Sequence, residues 1–173
     1  MATIRGKINP APSQRGWVKA ISTSKERGTQ KDNVPAAELK VGFGIVGDAH
    51  AGKWHRQVSL LGQESIEKMR AKGADVSAGD FAENITTEGI DLAALAIGSK
   101  LRLGADAEVE ITQFGKKCHS GCVIFQQISD CVMPREGVFA KVTKPGRIKP
   151  GDTIYICHPQ ASLEAATHPE KLK

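Results

Sequence analysis

The chain has 173 residues, 40% hydrophobic and 25% charged, with 24 Lys and Arg against 19 Asp and Glu for a net charge of +5. That length suits one domain with a real core, and the composition is that of an ordinary soluble protein, which excludes wholesale disorder. No apolar run approaches the about 18 residues of a membrane-spanning helix, and the basic residues are too scattered for nucleic acid, although they would suit a small anion such as phosphate.

The start, MATIRGKINPAPSQRGW, has no apolar signal-peptide core. It is acid-poor, as transit peptides are, but Gly6, Pro10, Pro12 and Gly16 interrupt the amphipathic helix such a peptide needs. The reading is therefore a cytoplasmic protein with reduced thiols. With 18 glycines and only 5% aromatic residues, the chain points to tight turns and short strands, not to a helical bundle.

In chain order, Trp17–Thr23 is the first strand expected, followed by Val58–Leu61. Gln63–Lys72 places Ile66 and Met69 on one helical face, and Gly73 can close that helix. A strand at Asn84–Thr87 comes next, then a short helical turn at Ile90–Leu95 with Asp91 near its start. Lys100–Leu103 and Glu108–Gln113 form a hairpin about Gly104, Ala105 and Asp106. Val138–Thr143 and Thr153–Ile156 complete the series, with turns at Pro145-Gly146 and Pro150-Gly151-Asp152. The fold class expected is mainly β (α+β): a barrel of bent antiparallel strands with a few short helices on its rim. Residues 1–157 form a single domain, and 158–173 read as a loosely ordered polar tail.

Three clusters carry chemistry. Residues 44–61 (GIVGDAHAGKWHRQVSLL) gather Asp48, His50, Lys53, His55 and Arg56 in a Gly-rich loop before an apolar strand. Small residues let backbone amides approach an anion that the basic side chains would hold, yet the order is not that of a Walker loop. A turn-rich surface loop fits the spacing equally well. The second cluster is Cys118, His119 and Cys122. It offers soft ligands for a structural zinc, but not at zinc-knuckle spacing, and small cysteines packed in a turn explain it as well. The third is Cys131, in a loop before a strong strand. Arg135 nearby would favour its thiolate, whereas Asp130 and Glu136 would oppose it.

Taken together and in order, these segments resemble the MOSC family, named for the C-terminal domain of molybdenum cofactor sulfurase. The carriers are Gly47-Asp48-Ala49-His50-Ala51-Gly52, Arg56–Leu61, Gly79–Thr86, Ile97-Gly98 before Leu101, Cys118-His119 with Cys122, Cys131 upstream of Gly137-Val138-Phe139, and Gly151-Asp152. The resemblance runs from about Gly16 to Ile156 and implies a MOSC-like β-barrel and a place in molybdenum-cofactor sulfur chemistry. Cys131 matches the functional cysteine of the family, which accepts sulfur as a persulfide in sulfurases and ligates molybdenum in amidoxime-reducing relatives. Asn84 matches a residue of the cofactor-contacting segment, and His50, Lys53, His55 and Arg56 become candidates for the cofactor phosphate.

The leading expectation is thus a stand-alone MOSC protein acting as a sulfur carrier or sulfurtransferase, with Cys131 as the persulfide site aided by Arg135. A separate cysteine desulfurase would be the donor, and the molybdenum cofactor or a molybdoenzyme the acceptor. The alternative is a molybdenum-cofactor-binding protein with Cys131 as metal ligand, and a third reading is the zinc module. Cys118 or Cys122 could also resolve a persulfide on Cys131. The pyridoxal-phosphate domain of fused sulfurases has no room in this length, and no lysine motif supports that cofactor. The membrane anchor of the reductase relatives is not matched either. Oligomeric state is left open.

Overall fold

A computed structural model describes residues 15–117 and 122–157. Cys118, His119 and the expected tail lie outside these described residues. The elements are β1 (Arg15–Thr23), β2 (Asp32–Asn33), β3 (Ala37–Lys40), β4 (Gly44–Ile45), β5 (Val58–Gly62), α1 (Gln63–Ala71) and β6 (Ile85–Glu88). After a single 3-10 turn at Leu92–Ala94 come β7 (Lys100–Leu103), β8 (Ala107–Phe114), α2 (Val123–Ile128), α3 (Met133–Glu136), β9 (Val138–Lys144), β10 (Gly146–Ile148) and β11 (Thr153–Cys157).

Seven strands close into a barrel in the order β11-β7-β8-β9-β5-β6-β1, and β1 pairs back onto β11 through Arg15 with Tyr155 and Trp17 with Thr153. A small second sheet, β10-β3-β4, lies beside it. The barrel is not wholly antiparallel as expected, because β5 and β6 run parallel, Leu60 opposite Ile85. The cause is α1: a crossover helix between two neighbouring strands returns the chain in the same direction, which no hairpin can do. Register shifts in the β8–β9 pair, at Glu108/Val109 and Ile111/Gln113, are bulges that bend this long pair around the barrel.

Two apolar clusters follow from strand alternation. Inside the barrel pack Val18, Ile21, Leu60, Ile85, Leu101, Val109, Ile111, Ala140 and Ile154. Outside it, Leu61 and Phe139 point the other way, onto Ile66, Met69, Phe81, Cys131, Val132 and Met133. Every residue of β5 is buried, since helices cover its outer face while the barrel core covers its inner one. This outer layer on β5 and β9 is where Cys131 sits.

All seven expected strands are present within about two residues of their predicted limits. So is the helix at Gln63–Ala71, followed by Gly73 in a left-handed conformation at φ +94°. The 3-10 turn is capped by Asp91, whose carboxylate accepts the Ala93 N–H. Not foreseen were the short β2, β3, β4 and β10, and the helices α2 and α3. The segment expected to be a plain loop after Cys131 is a one-turn helix with Pro134 in its first turn, where the missing proline N–H costs nothing.

Candidate functional site

Cys131 is 7% exposed and lies two residues before α3. Its N–H donates to Asp130 Oδ1 at 2.8 Å, and the same oxygen accepts from Arg135 Nη1 at 2.8 Å. Lys72 pairs with the other carboxylate oxygen. Hydrogen bonds from Arg135 and then Lys72 keep the Asp130 carboxyl well below the usual carboxylate range. Burial opposes ionisation of Glu136, but bonds from Ser65 and Lys68 outweigh it and lower this carboxyl too. Each acid flanking Cys131 is therefore matched by a base.

The opposite wall comes from the chain after β8. Gly115 adopts φ +59°, and its N–H donates to the Gly137 carbonyl at 2.7 Å. A Cβ at this position would lie 2.0 Å from the Pro134 carbonyl oxygen, so only glycine lets this segment press against α3. Beside them opens a cavity of about 390 Å³ lined by Cys131, Cys122, Met133, Ile124 and Lys116, by the acidic Asp80 and by the loop 28–30. Among the described lining residues Lys116 is the only basic one.

The basic loop is organised around a residue the sequence reading passed over. Lys31 is buried, and its ammonium donates to Asp48 Oδ1 at 2.6 Å and to Ser24 Oγ at 3.1 Å. It also lies 3.1 Å from His50 Nδ1, nearer than the 3.7 Å from that nitrogen to Asp48 Oδ2. An ammonium can only donate, so Nδ1 accepts and the ring proton rests on Nε2. Burial works against the charge on Asp48, but hydrogen bonds from the main-chain N–H of His50 and from Lys31 outweigh it and hold the carboxyl far below its ordinary value.

Trp54 caps this network. Its Nε1 donates to the His50 carbonyl at 2.7 Å, and its ring stacks on the His50 imidazole. Arg27 and Arg56 lie over the same indole at 5.1 and 4.7 Å, and Arg56 also reaches the Phe139 ring. Arg56 Nε is buried with no hydrogen-bond partner. His55 Nε2 donates to Gln113 Oε1 at 2.8 Å, and Lys53 is exposed. None of His50, Lys53, His55, Arg56 and Asn84 lines the cavity that holds Cys131.

Asn84 is fully buried beneath both regions. Its Oδ1 accepts the Ser59 N–H and its Nδ2 donates to the Ser22 carbonyl, tying β5 to β1 across β6. Beside it Glu83, also fully buried, accepts the N–H groups of Gly79 at 2.6 Å and Phe81 at 3.2 Å. Burial raises the Glu83 carboxyl above its ordinary value despite these bonds and that of Thr86. Gly79 has φ +95°, and its carbonyl accepts the Lys31 N–H, which fixes the loop that faces Cys131. Thus Asn84 and Glu83 brace the site without entering it.

Cys131 and Cys122 are brought together on one cavity, while Cys118 and His119 lie outside the described residues. Among the described residues no group of three or more His, Cys, Asp or Glu converges as a metal site. None of the described helices is long and apolar enough to cross a membrane. Lys31, Trp54, Arg27 and Lys116 were missed. Trp54 alone left a signal, as an aromatic residue among charges.

A family model for the MOSC domain matches residues 47–155. Among solved structures, the YuaD protein of Bacillus subtilis superposes with a TM-score of 0.69 at 18% identity, over 82% of this chain and 95% of that one. YiiM of Geobacillus stearothermophilus gives 0.63 at 18% identity, over 85% and 77%. YiiM of Escherichia coli gives 0.59 at 16% identity, over 83% and 70%. Comparison with curated proteins finds no match.

Proposed function

Because the chain belongs to the MOSC family, we propose that it carries sulfur in molybdenum-cofactor chemistry, with Cys131 as the persulfide-forming thiolate. The observation that carries this reading is the Cys131 cavity. A thiol enclosed in about 390 Å³ has its sequence neighbours Asp130 and Glu136 each tied to a base, and Lys116 on the cavity lining stands against the one acidic lining residue among those described, Asp80. Such a thiolate attacks the terminal sulfur of a donor persulfide. The donor S–S bond breaks, the donor leaves as a thiolate, and one sulfur remains on Cys131. Arg135 acts by neutralising Asp130, and Lys116 supplies positive charge to the persulfide anion. The donor is a cysteine desulfurase and the acceptor the molybdenum cofactor or an enzyme that uses it.

The test is peptide-resolved mass spectrometry after anaerobic incubation with a cysteine desulfurase and cysteine. One added sulfur localised to the Cys131 thiol itself is expected in the wild-type chain. Added sulfur confined to other cysteines, with Cys131 unmodified, would refute the assignment.

A second reading is favoured by the cavity volume, which falls in the range of small-molecule sites. The donor set of the cavity fits the molybdenum cofactor: a soft thiolate at Cys131 for the metal and Lys116 for anionic groups, with the buried unpaired Nε of Arg56 outside the cavity lining as a further donor. His50, Lys53 and His55 would extend that basic surface, and Asn84 would act from beneath. Bound there, the cofactor would supply oxygen- or sulfur-transfer chemistry, while the protein orients it and excludes water. Molybdenum that co-purifies with the chain and is lost in Cys131→Ser, with no sulfur loading, would select this reading.

A further inference from the structure

Resting on the carrier reading, we infer that Cys122 is the receiving thiol, which takes sulfur from a protein donor and passes it inward to Cys131. Two observations carry this. Cys131 is only 7% exposed, too enclosed for the active loop of another protein to reach its sulfur directly. Cys122 is exposed, yet lines the same cavity. One thiol faces solvent and the other is enclosed, on one continuous space.

The local structure readies Cys122 for this role. It is the residue before α2, and its Sγ accepts the Phe125 N–H at 3.4 Å, which fixes the side chain at the head of that helix. Phe81, Ile124 and Met133 give the lining an apolar part that limits the access of water and stray thiols to a persulfide. Lys116, which lines the same cavity, attracts the anion.

Both steps balance without an external oxidant or reductant. The Cys122 thiolate attacks the terminal sulfur of the donor persulfide, forming one S–S bond as the donor's breaks, and the donor departs as a thiolate. The Cys131 thiolate then attacks the terminal sulfur now on Cys122. A second S–S bond forms as the first breaks, and the Cys122 thiolate is regenerated.

The experiment uses the full chain, with Cys122→Ser, Cys131→Ser and Cys118→Ser, and two donors: a cysteine desulfurase with cysteine, and inorganic polysulfide. Serine can still accept the Phe125 N–H, so α2 keeps its cap. With the protein donor, Cys122→Ser is expected to load Cys131 at least about tenfold more slowly than the wild-type chain. With polysulfide, which is small enough to enter the cavity, it should load at the wild-type rate, and this also reports that the variant is folded. Cys131→Ser should accumulate sulfur on Cys122, and Cys118→Ser should behave as wild type. Unchanged loading of Cys131 from the protein donor in Cys122→Ser overturns the relay and leaves the carrier reading standing. Absence of sulfur from Cys131 in the wild-type chain with both donors overturns the carrier reading itself.

Discussion

Replacing Lys31 by Met removes the cation from a pair whose two side chains are both 0% exposed and 2.6 Å apart. Loss of one partner strands a buried charge, which typically costs about 3–5 kcal/mol. Asp48 keeps the Ser24 N–H at 3.1 Å and the His50 N–H at 2.9 Å, so the low end, about 3 kcal/mol, is expected. At about 2–4 °C per kcal/mol for a domain of this size, the melting temperature should fall by roughly 6–12 °C. The sign with pH follows from the depressed carboxyl of Asp48. Its contribution is full above the ordinary carboxylate value of about 4 and is lost as pH falls through the lowered folded-state value. The gap between the wild-type chain and Lys31→Met should therefore hold constant from near neutrality down to about pH 5 and close only in stronger acid. Urea unfolding followed by tryptophan fluorescence suits the measurement, since Trp54 is bonded to His50 in the same network. The double variant Lys31→Met/Asp48→Leu should recover much of the loss, because no unpaired charge remains. A loss below about 1 kcal/mol at pH 7, or a gap that widens in acid, would refute the reasoning.

Two further outcomes are expected. Glu83 has a raised carboxyl, so the folded chain binds a proton that the unfolded chain releases, and stability should decline as pH climbs from the ordinary carboxylate range through the raised value. Glu83→Gln keeps an oxygen for the Gly79 N–H and removes that decline; urea midpoints whose pH slope is the same in both proteins would disprove it. Gly115→Ala places a methyl 2.0 Å from the Pro134 carbonyl at φ +59°, and should cost roughly 1–3 kcal/mol while altering the alkylation rate of Cys131. A variant with wild-type melting and alkylation would show that α3 does not depend on this approach.

The barrel was legible because its walls announce themselves. Glu108–Gln113 alternates, Gly104-Ala105-Asp106 marks a three-residue turn, and Val58–Leu61 is the continuous apolar run of a strand covered on both faces. The parallel β5–β6 pair was hidden because it depends on where α1 delivers the chain and not on either strand's residues. Val123–Ile128 and Met133–Glu136 are too short for helical periodicity to show, and Pro134 reads as a breaker until its place in a first turn is known. For the site, Cys131 and the Gly47–Gly52 loop stood out by residue type. Lys31 did not, because SKERGTQKDN reads as a solvated charged loop and its partner Asp48 is 17 positions away. Asn84 stood out through resemblance, but its position on the braces of the site is a property of the fold.

Closure of the ring by β1 on β11 has a consequence for recognition. Each of the seven strands spends its main-chain donors and acceptors on neighbours at both sides, so the barrel offers no edge to which another protein could add a strand. Among the described residues the strands with an open side are β2 and β4, of two residues each, and β10, of three, too short to template a partner. Whatever protein delivers or receives a ligand here must bind through side chains and loops. Its affinity should therefore respond to ionic strength and to single surface substitutions, as strand-addition complexes built on backbone bonds do not.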